Sequence, residues 1–389
     1  MYRLSLFFIL TLLLTACSLP SGGVTPQPAG PTDSMVAATA EPVPAASETL
    51  ASEPLPPIKT SDPAASTPPP PEVSHPLIGL LVSRGAGLEL AQFDALGSLR
   101  TISTRPFAAL SPDGAQIAYI EGDDVWLEPV DGSVSPLNLT NSPERLEQSV
   151  QWWGARPGWL LVAFQPLDDM GYSAFYALLN ADGSEFIPLE SEERNMSTPS
   201  LSPDGVMVAY DRFGKPTLLN ADTGERVSLS LDVPGHPVQM MGYPAWAVDG
   251  GSVIYKLYDQ QGWIGTGQYD LAAGSWRLIH EYRMAGGTEP WAQFAFSPDG
   301  RWLAMVNQSD PLTMQYGPAV WVLPLAGGDP ILLGAGTSPV WSPDSTRLVF
   351  TQATGGAFDQ DFLQLVLAES WEPVQLEDMP GGYYPQSWQ

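Results

Sequence analysis

Between residues 77 and 388 apolar and polar residues alternate in short runs, cut at regular intervals by clusters of Gly, Pro and Asp. This period predicts half-buried strands joined by tight turns. The strongest punctuation is Ser-Pro-Asp-Gly, at residues 111–114, 202–205 and 297–300, with worn copies at 342–345 (Ser-Pro-Asp-Ser) and 248–251 (Val-Asp-Gly-Gly). Proline sets φ near about −65° for the first corner, aspartate accepts hydrogen bonds from nearby turn amides, and glycine takes the positive φ that closes the turn. Asp113, Asp204, Asp249, Asp299 and Asp344 are therefore assigned a structural role in hairpin turns. An apolar residue precedes each turn (Leu110, Leu201, Trp246, Phe296, Trp341), and an alternating strand such as Gln116-Ile117-Ala118-Tyr119 follows it. A third strand, exemplified by Val320-Trp321-Val322-Leu323, ends in a second Gly-rich turn, and a short fourth strand leads to Leu139, Leu189, Leu229 or Leu332. Each unit reads as a four-stranded meander.

The turn aspartates set the period. Asp204 and Asp249 lie 45 residues apart, Asp249 and Asp299 50, and Asp299 and Asp344 45. Asp113 and Asp204 are 91 apart, room for two units, and the worn copy between them is the stretch 152–161, where Arg-Pro-Gly replaces Pro-Asp-Gly. Four strands per unit at this spacing predict a β-propeller. Residues 77–103 supply only three strands, and the missing one reappears at the other end as Tyr384-Pro385-Gln386-Ser387-Trp388, a period of 47 after Trp341. The expected fold class is all-β: a seven-bladed β-propeller of four-stranded antiparallel blades, closed by a C-terminal strand joining the first three N-terminal strands. Closure of this kind removes sheet edges that would otherwise pair with other chains. Trp152, Trp246, Trp341 and Trp388, near the ends of first strands, are expected to fill the space between neighbouring sheets.

Over residues 76–389 this unit resembles the TolB-type, WD-like propeller repeat, in which Pro-x-x-Trp leads into Ser-Pro-Asp-Gly and then into Leu or Ile, Ala, and Tyr or Phe. TolB itself resembles a six-bladed propeller behind an N-terminal α/β domain, whereas seven units and no such domain are read here. Prolyl-oligopeptidase-like propellers precede a hydrolase domain, and none follows Gln389. The resemblance implies a scaffold, with envelope partners, and no activity.

Residues 1–17 read as a lipoprotein signal peptide: Arg3, an apolar run over 4–14, and Leu14-Thr15-Ala16-Cys17, which resembles a bacterial lipobox. The run falls short of the ~20 residues of a membrane span. Cys17, the one cysteine, is the expected lipidation site, and burial of acyl chains at about 0.8 kcal/mol per methylene would hold the protein at a membrane. Residues 18–75 form the expected disordered tether, rich in Pro, Ala, Ser and Thr. Residues 76–389 are the propeller. The expected location is the cell membrane or outer membrane, lipid-anchored and facing the periplasm or the cell exterior.

Charge and motif content narrow the chemistry. A net charge of −27 repels phosphate backbones and argues against nucleic acid as a partner. His75, His236 and His280 sit in no spaced motif, and there is no nucleophile elbow, zinc-protease helix or phosphate loop. No cofactor is expected. Calcium is a possible ligand of Asp168-Asp169 or of Asp359-Gln360-Asp361, although nothing matches an EF-hand loop. The connections opposite the Ser-Pro-Asp-Gly turns are longer than their spans require, which marks them for recognition. Their candidate binding residues are Asp168, Asp169, Tyr172, Asp259, Trp263, Asp310, Tyr316, Phe358, Asp359 and Asp361. The function expected is a noncatalytic, monomeric scaffold binding protein or glycan partners in the cell envelope; the alternative is a propeller enzyme (glycosidase, lyase or peptidase-like) using carboxylates from several blades.

Overall fold

The computed structural model describes residues 75–84, 89–167, 174–189, 197–260, 262–281, 293–307, 318–352, 361–368, 370–376 and 381–388. Within them, strands numbered in chain order form seven four-stranded antiparallel sheets. Blade 1 consists of β28 (Tyr383–Trp388), β1 (Leu80–Arg84), β2 (Glu89–Phe93) and β3 (Leu99–Ser103). Blade 2 follows with β4 (Ala109–Leu110), β5 (Gln116–Glu121), β6 (Asp124–Pro129) and β7 (Leu137–Asn138), and blade 3 with β8 (Arg145–Trp152), β9 (Trp159–Pro166), β10 (Phe175–Asn180) and β11 (Phe186–Pro188). Blade 4 holds β12 (Ser200–Leu201), β13 (Met207–Arg212), β14 (Lys215–Asn220) and β15 (Arg226–Ser228). Blade 5 holds β16 (Met240–Trp246), β17 (Ser252–Asp259), β18 (Gly262–Asp270) and β19 (Ser275–Glu281). Blade 6 holds β20 (Gln293–Phe296), β21 (Trp302–Asn307), β22 (Ala319–Pro324) and β23 (Ile331–Ala335), and blade 7 holds β24 (Thr337–Trp341), β25 (Arg347–Gln352), β26 (Phe362–Leu367) and β27 (Pro373–Gln375). The protein is a seven-bladed β-propeller.

The turns form because a serine completes them. In four of the motifs the serine hydroxyl donates to the aspartate two residues on and accepts the amide five residues on. For Ser111 the distances are 2.6 Å to Asp113 Oδ1 and 2.9 Å from Gln116 N, and for Ser297 2.7 Å to Asp299 and 2.9 Å from Trp302 N. Ser342 repeats the arrangement with Asp344 and Arg347. Ser202 likewise donates to Asp204 and accepts from Met207 N. All four serines are buried, so the hydroxyl takes the place of water in satisfying donor and acceptor together. Asp249, whose motif has Ala247 in the serine position, still accepts Gly251 N at 2.9 Å. In the worn copy of blade 3 Trp153 stands where serine would. Its indole N–H donates to Ser202 O of the next blade at 2.9 Å, and the Arg156 guanidinium lies 4.5 Å from the Trp159 ring centroid. Gly205 has φ +77°, and a Cβ there would come within 2.6 Å of Ala155 O, so this turn must be glycine for close approach as well as for backbone geometry.

The core lies between blades. Clusters of buried residues join blades 2 and 3 through Val125, Trp152 and Leu160, and blades 3 and 4 through Leu161, Leu178 and Tyr210. Others join blades 4 and 5 through Leu218, Trp246 and Tyr255, blades 5 and 6 through Ile254, Leu303 and Leu323, and blades 6 and 7 through Val320, Trp341 and Phe350. Val82, Phe93, Val349 and Leu363 join blade 7 to blade 1. Each fully buried large side chain contributes about 1.5–3 kcal/mol, so the ring is stabilised by blade stacking. Tryptophan adds direction: the indole N–H groups of Trp152, Trp246 and Trp341 donate to the preceding blade at Ala109 O, Ser200 O and Ala295 O, at 2.9, 3.0 and 2.9 Å. Trp388 departs from the pattern and donates to Ile78 O of its own blade at 2.8 Å. The strand bulges two residues before it: Ser387 pairs with Leu81 and Pro385 with Val82, which leaves Gln386 extra. The ring is closed by β28 lying antiparallel to β1.

Candidate functional site

The first strand of each meander is the innermost, so β28, β4, β8, β12, β16, β20 and β24 surround a central channel. Two cavities of about 860 and 250 Å³ share Gln151 and together draw on the inner strand of every blade. Each inner strand runs into the Ser-Pro-Asp-Gly face, so residues early in the strand lie toward the opposite, long-loop face. Counting back from the apolar residue before each turn, the third position is Phe107, Ser149, Thr198, Tyr243, Gln293 or Ser338 in blades 2 to 7, and the bulge brings Tyr384 to this level in blade 1. The position next to the apolar residue is Ala109, Gln151, Ser200, Ala245, Ala295, Val340 or Ser387. No residue in either tier carries a charge, in a chain whose net charge is −27.

The upper tier is held rigidly. Phe107, Tyr243 and Ser338 adopt left-handed backbone, with φ of 52°, 54° and 56°. Such non-glycine conformations cost roughly 1–3 kcal/mol each and persist only when their surroundings over-determine them. For Tyr243 the surroundings are visible. Its amide donates to Ser197 Oγ at 2.8 Å, and the Ser197 hydroxyl donates to Asp211 Oδ2, with Ser197 and Asp211 both buried. The fully buried Lys256 ammonium lies 5.8 Å from the Tyr243 ring centroid. Ser338 donates its amide to Gln293 Oε1 at 2.7 Å, tying blade 7 to blade 6. Tyr384 donates its hydroxyl to Asp361 Oδ2 at 2.8 Å; burial first, and then this carboxylate, push the phenol far above its ordinary range. Its ring is thereby fixed in the wall as a neutral group. A recess leads off the channel toward blades 1 and 2, with Glu89 in its wall. Glu89 Oε1 accepts the Thr101 hydroxyl at 2.8 Å. Among the described lining residues of both cavities Glu89 is the single ionisable carboxylate, and no Lys, Arg or His is present.

The structure treats the sequence candidates unequally. Asp361 is 9% exposed and supports the channel wall through Tyr384, while Asp259 ends β17 in blade 5, on a separate sheet. Asp168, Asp169, Tyr172, Asp310, Tyr316, Phe358 and Asp359 lie outside the described residues, as do the side chain of Trp263 and Cys17. Among the described residues no group of three or more His, Cys, Asp or Glu is placed to hold a metal ion. His75 stacks on Phe93 at 6.2 Å, His236 lies in an isolated bridge with Val233, and His280, in β19, is lowered in pKa by burial. Sequence reading did not single out the channel residues. The signal was a column down the repeat, three residues before the apolar anchor, in which aromatic, hydroxyl and amide side chains replace charges.

No protein-family model matches the chain. By sequence it is similar to the probable dipeptidyl peptidase 4 of Neosartorya fischeri, 24% identical over an alignment of 310 residues that covers 72% of this chain and 38% of that protein. The chain thus spans well under half the length of the curated relatives it matches. By structure it is similar to puromycin hydrolase, with a TM-score of 0.55 and 16% identity over 79% of this chain and 53% of that one. Solved TolB structures are also among its neighbours, that of Acinetobacter baumannii with a TM-score of 0.44 and 13% identity over 79% of this chain and 81% of that one. At these identities the likeness to solved structures is one of fold.

Proposed function

We propose that the protein is a noncatalytic binding scaffold, held outside the cytoplasm by a lipid on Cys17, that takes an envelope protein or glycan in the mouth of its central channel. The observation that carries this reading is the rigid wall of the channel, whose two inner-strand tiers carry no charge. A pocket that is mostly apolar, with a few convergent polar groups, is the usual form of a ligand site, and strained residues concentrate where a surface is shaped for binding. Acid chemistry of the kind used by propeller hydrolases needs two carboxylates facing one bond, and the described wall brings one, Glu89. The sequence relation to probable dipeptidyl peptidases favours the enzymatic alternative, in which the propeller shapes access to a peptidase centre. One experiment separates the two. Immobilised full-length protein should retain a component of an envelope extract and release it unchanged, and Gln151→Trp, which fills the channel from an exposed position, should abolish retention. Turnover of dipeptide-releasing or glycosidic substrates by the purified chain would overturn the noncatalytic reading.

A further inference from the structure

Taking the channel as the binding site, we infer that its ligand is an uncharged oligosaccharide. The argument starts from charge. The chain carries −27, so its field opposes an approaching anion, and no cation lines either cavity among the described residues to compensate. A cationic ligand would be drawn toward the protein, yet a charge taken out of water must be paired to be tolerated. Among the described lining residues the one carboxylate, Glu89, sits in the side recess and already accepts Thr101. The ligand that loses nothing on entering this channel is neutral.

The wall then specifies what kind of neutral molecule. Hydroxyl and carboxamide side chains both donate and accept, and Ser149, Thr198, Ser200, Gln151 and Gln386 supply them from blades 1, 3 and 4. A ligand matched to such a lining carries many groups that also both donate and accept, as a polyhydroxylated ring does at every hydroxyl. Aromatic faces complete the match. Phe107 is 44% exposed and lines the larger cavity, and Tyr243, its amide held by Ser197, lines the smaller, so the wall offers aromatic surface at little entropic cost to the C–H faces of a sugar. The larger cavity, of about 860 Å³, exceeds what one sugar ring fills, and Gln151 also lines the second, of about 250 Å³, so the channel suits a short chain.

The test is calorimetric titration of the full-length protein with maltohexaose, cellohexaose, xylohexaose and chitohexaose, alongside a hexagalacturonate and an uncharged Gly-Ser-Gln peptide. At least one neutral hexasaccharide should bind saturably, with an affinity that changes less than about twofold when salt is raised across the range where screening removes electrostatic attraction. Gln151→Ala and Tyr243→Ala should each weaken it at least about tenfold, with an unchanged melting temperature for Gln151→Ala. Asp361→Asn should weaken it by a smaller factor, because it acts only by positioning Tyr384. Saturable binding of the peptide or the galacturonate instead, lost in Gln151→Trp, would overturn the sugar assignment while keeping the channel as the site. Sugar binding indifferent to Gln151→Ala and Gln151→Trp would overturn the channel itself. No saturable binding of any hexasaccharide would overturn the inference.

Discussion

The serine of the repeated turn shows how one hydroxyl decides a local structure. Ser202→Ala would leave Asp204 without its hydroxyl donor, keeping only the Val206 amide, and Met207 N without its side-chain acceptor, so the variant should lose about 1–3 kcal/mol, read as a lower midpoint in urea. Acid dependence has two signs in this molecule. Hydrogen bonds from the turn serines, Ser111 and Ser202 foremost, hold Asp113 and Asp204 below the ordinary carboxylate range; at Asp344 burial works the other way, but Ser342, Thr346 and Arg347 outweigh it. A depressed folded pKa contributes stability that is present above the unfolded value of about 3.9 and is lost as pH falls through the folded value. Glu147 does the opposite: burial raises its pKa, and Arg145, at 3.3 Å, offsets this only in part. Its ionisation therefore costs stability that returns as pH falls through its raised value. The stability of Glu147→Gln minus that of the natural chain should become more favourable between about pH 3 and pH 7, measured by denaturant titration at each pH; a flat difference would contradict the assignment. Proline, aspartate and glycine of the turn were legible in the sequence because their roles are local. Trp153 was not, because its partner, Ser202 O, belongs to the next blade.

At the scale of elements the closing strand carries the most consequence. Deletion of residues 381–389 removes β28, exposes the edge of β1, and takes with it the bonds from Trp388 to Ile78 O and from Thr351 to Tyr383 O. The truncated chain should aggregate or melt far lower than the full chain; equal melting would show that closure is not needed. The number of blades and the composite nature of blade 1 were readable from the repeat, since a missing first strand at one end and a surplus one at the other leave a single way to close the ring. Bulges were not readable. Those in β8, β16, β24 and β28 insert a residue whose presence depends on packing against the neighbouring blade, and they decide which side chains face the channel. Loops longer than their span drew the sequence reading to the long-loop face, and most of the residues named there lie outside the described residues; the channel wall is built instead from strand positions, which loop length does not report.

For the whole molecule two properties follow from distribution rather than from any one contact. A chain of net charge −27 surrounds a channel wall with no charge in its two inner tiers, and that contrast became visible only once the seven inner strands were arranged in a ring. The proposed anchor makes a prediction of its own: Cys17→Ser should move the protein from the membrane fraction to the soluble exported fraction, and unchanged detergent partitioning would refute lipidation at that residue. The central claim is that the channel is where the partner sits, and amide hydrogen exchange tests it most directly. The full-length chain, with and without the envelope component it retains, should show slowed exchange in segments 107–110, 149–152, 198–201 and 243–246, which line the channel. Slowing confined to the turns at 111–115, 202–206 and 297–301, or to the outer strands, would contradict it.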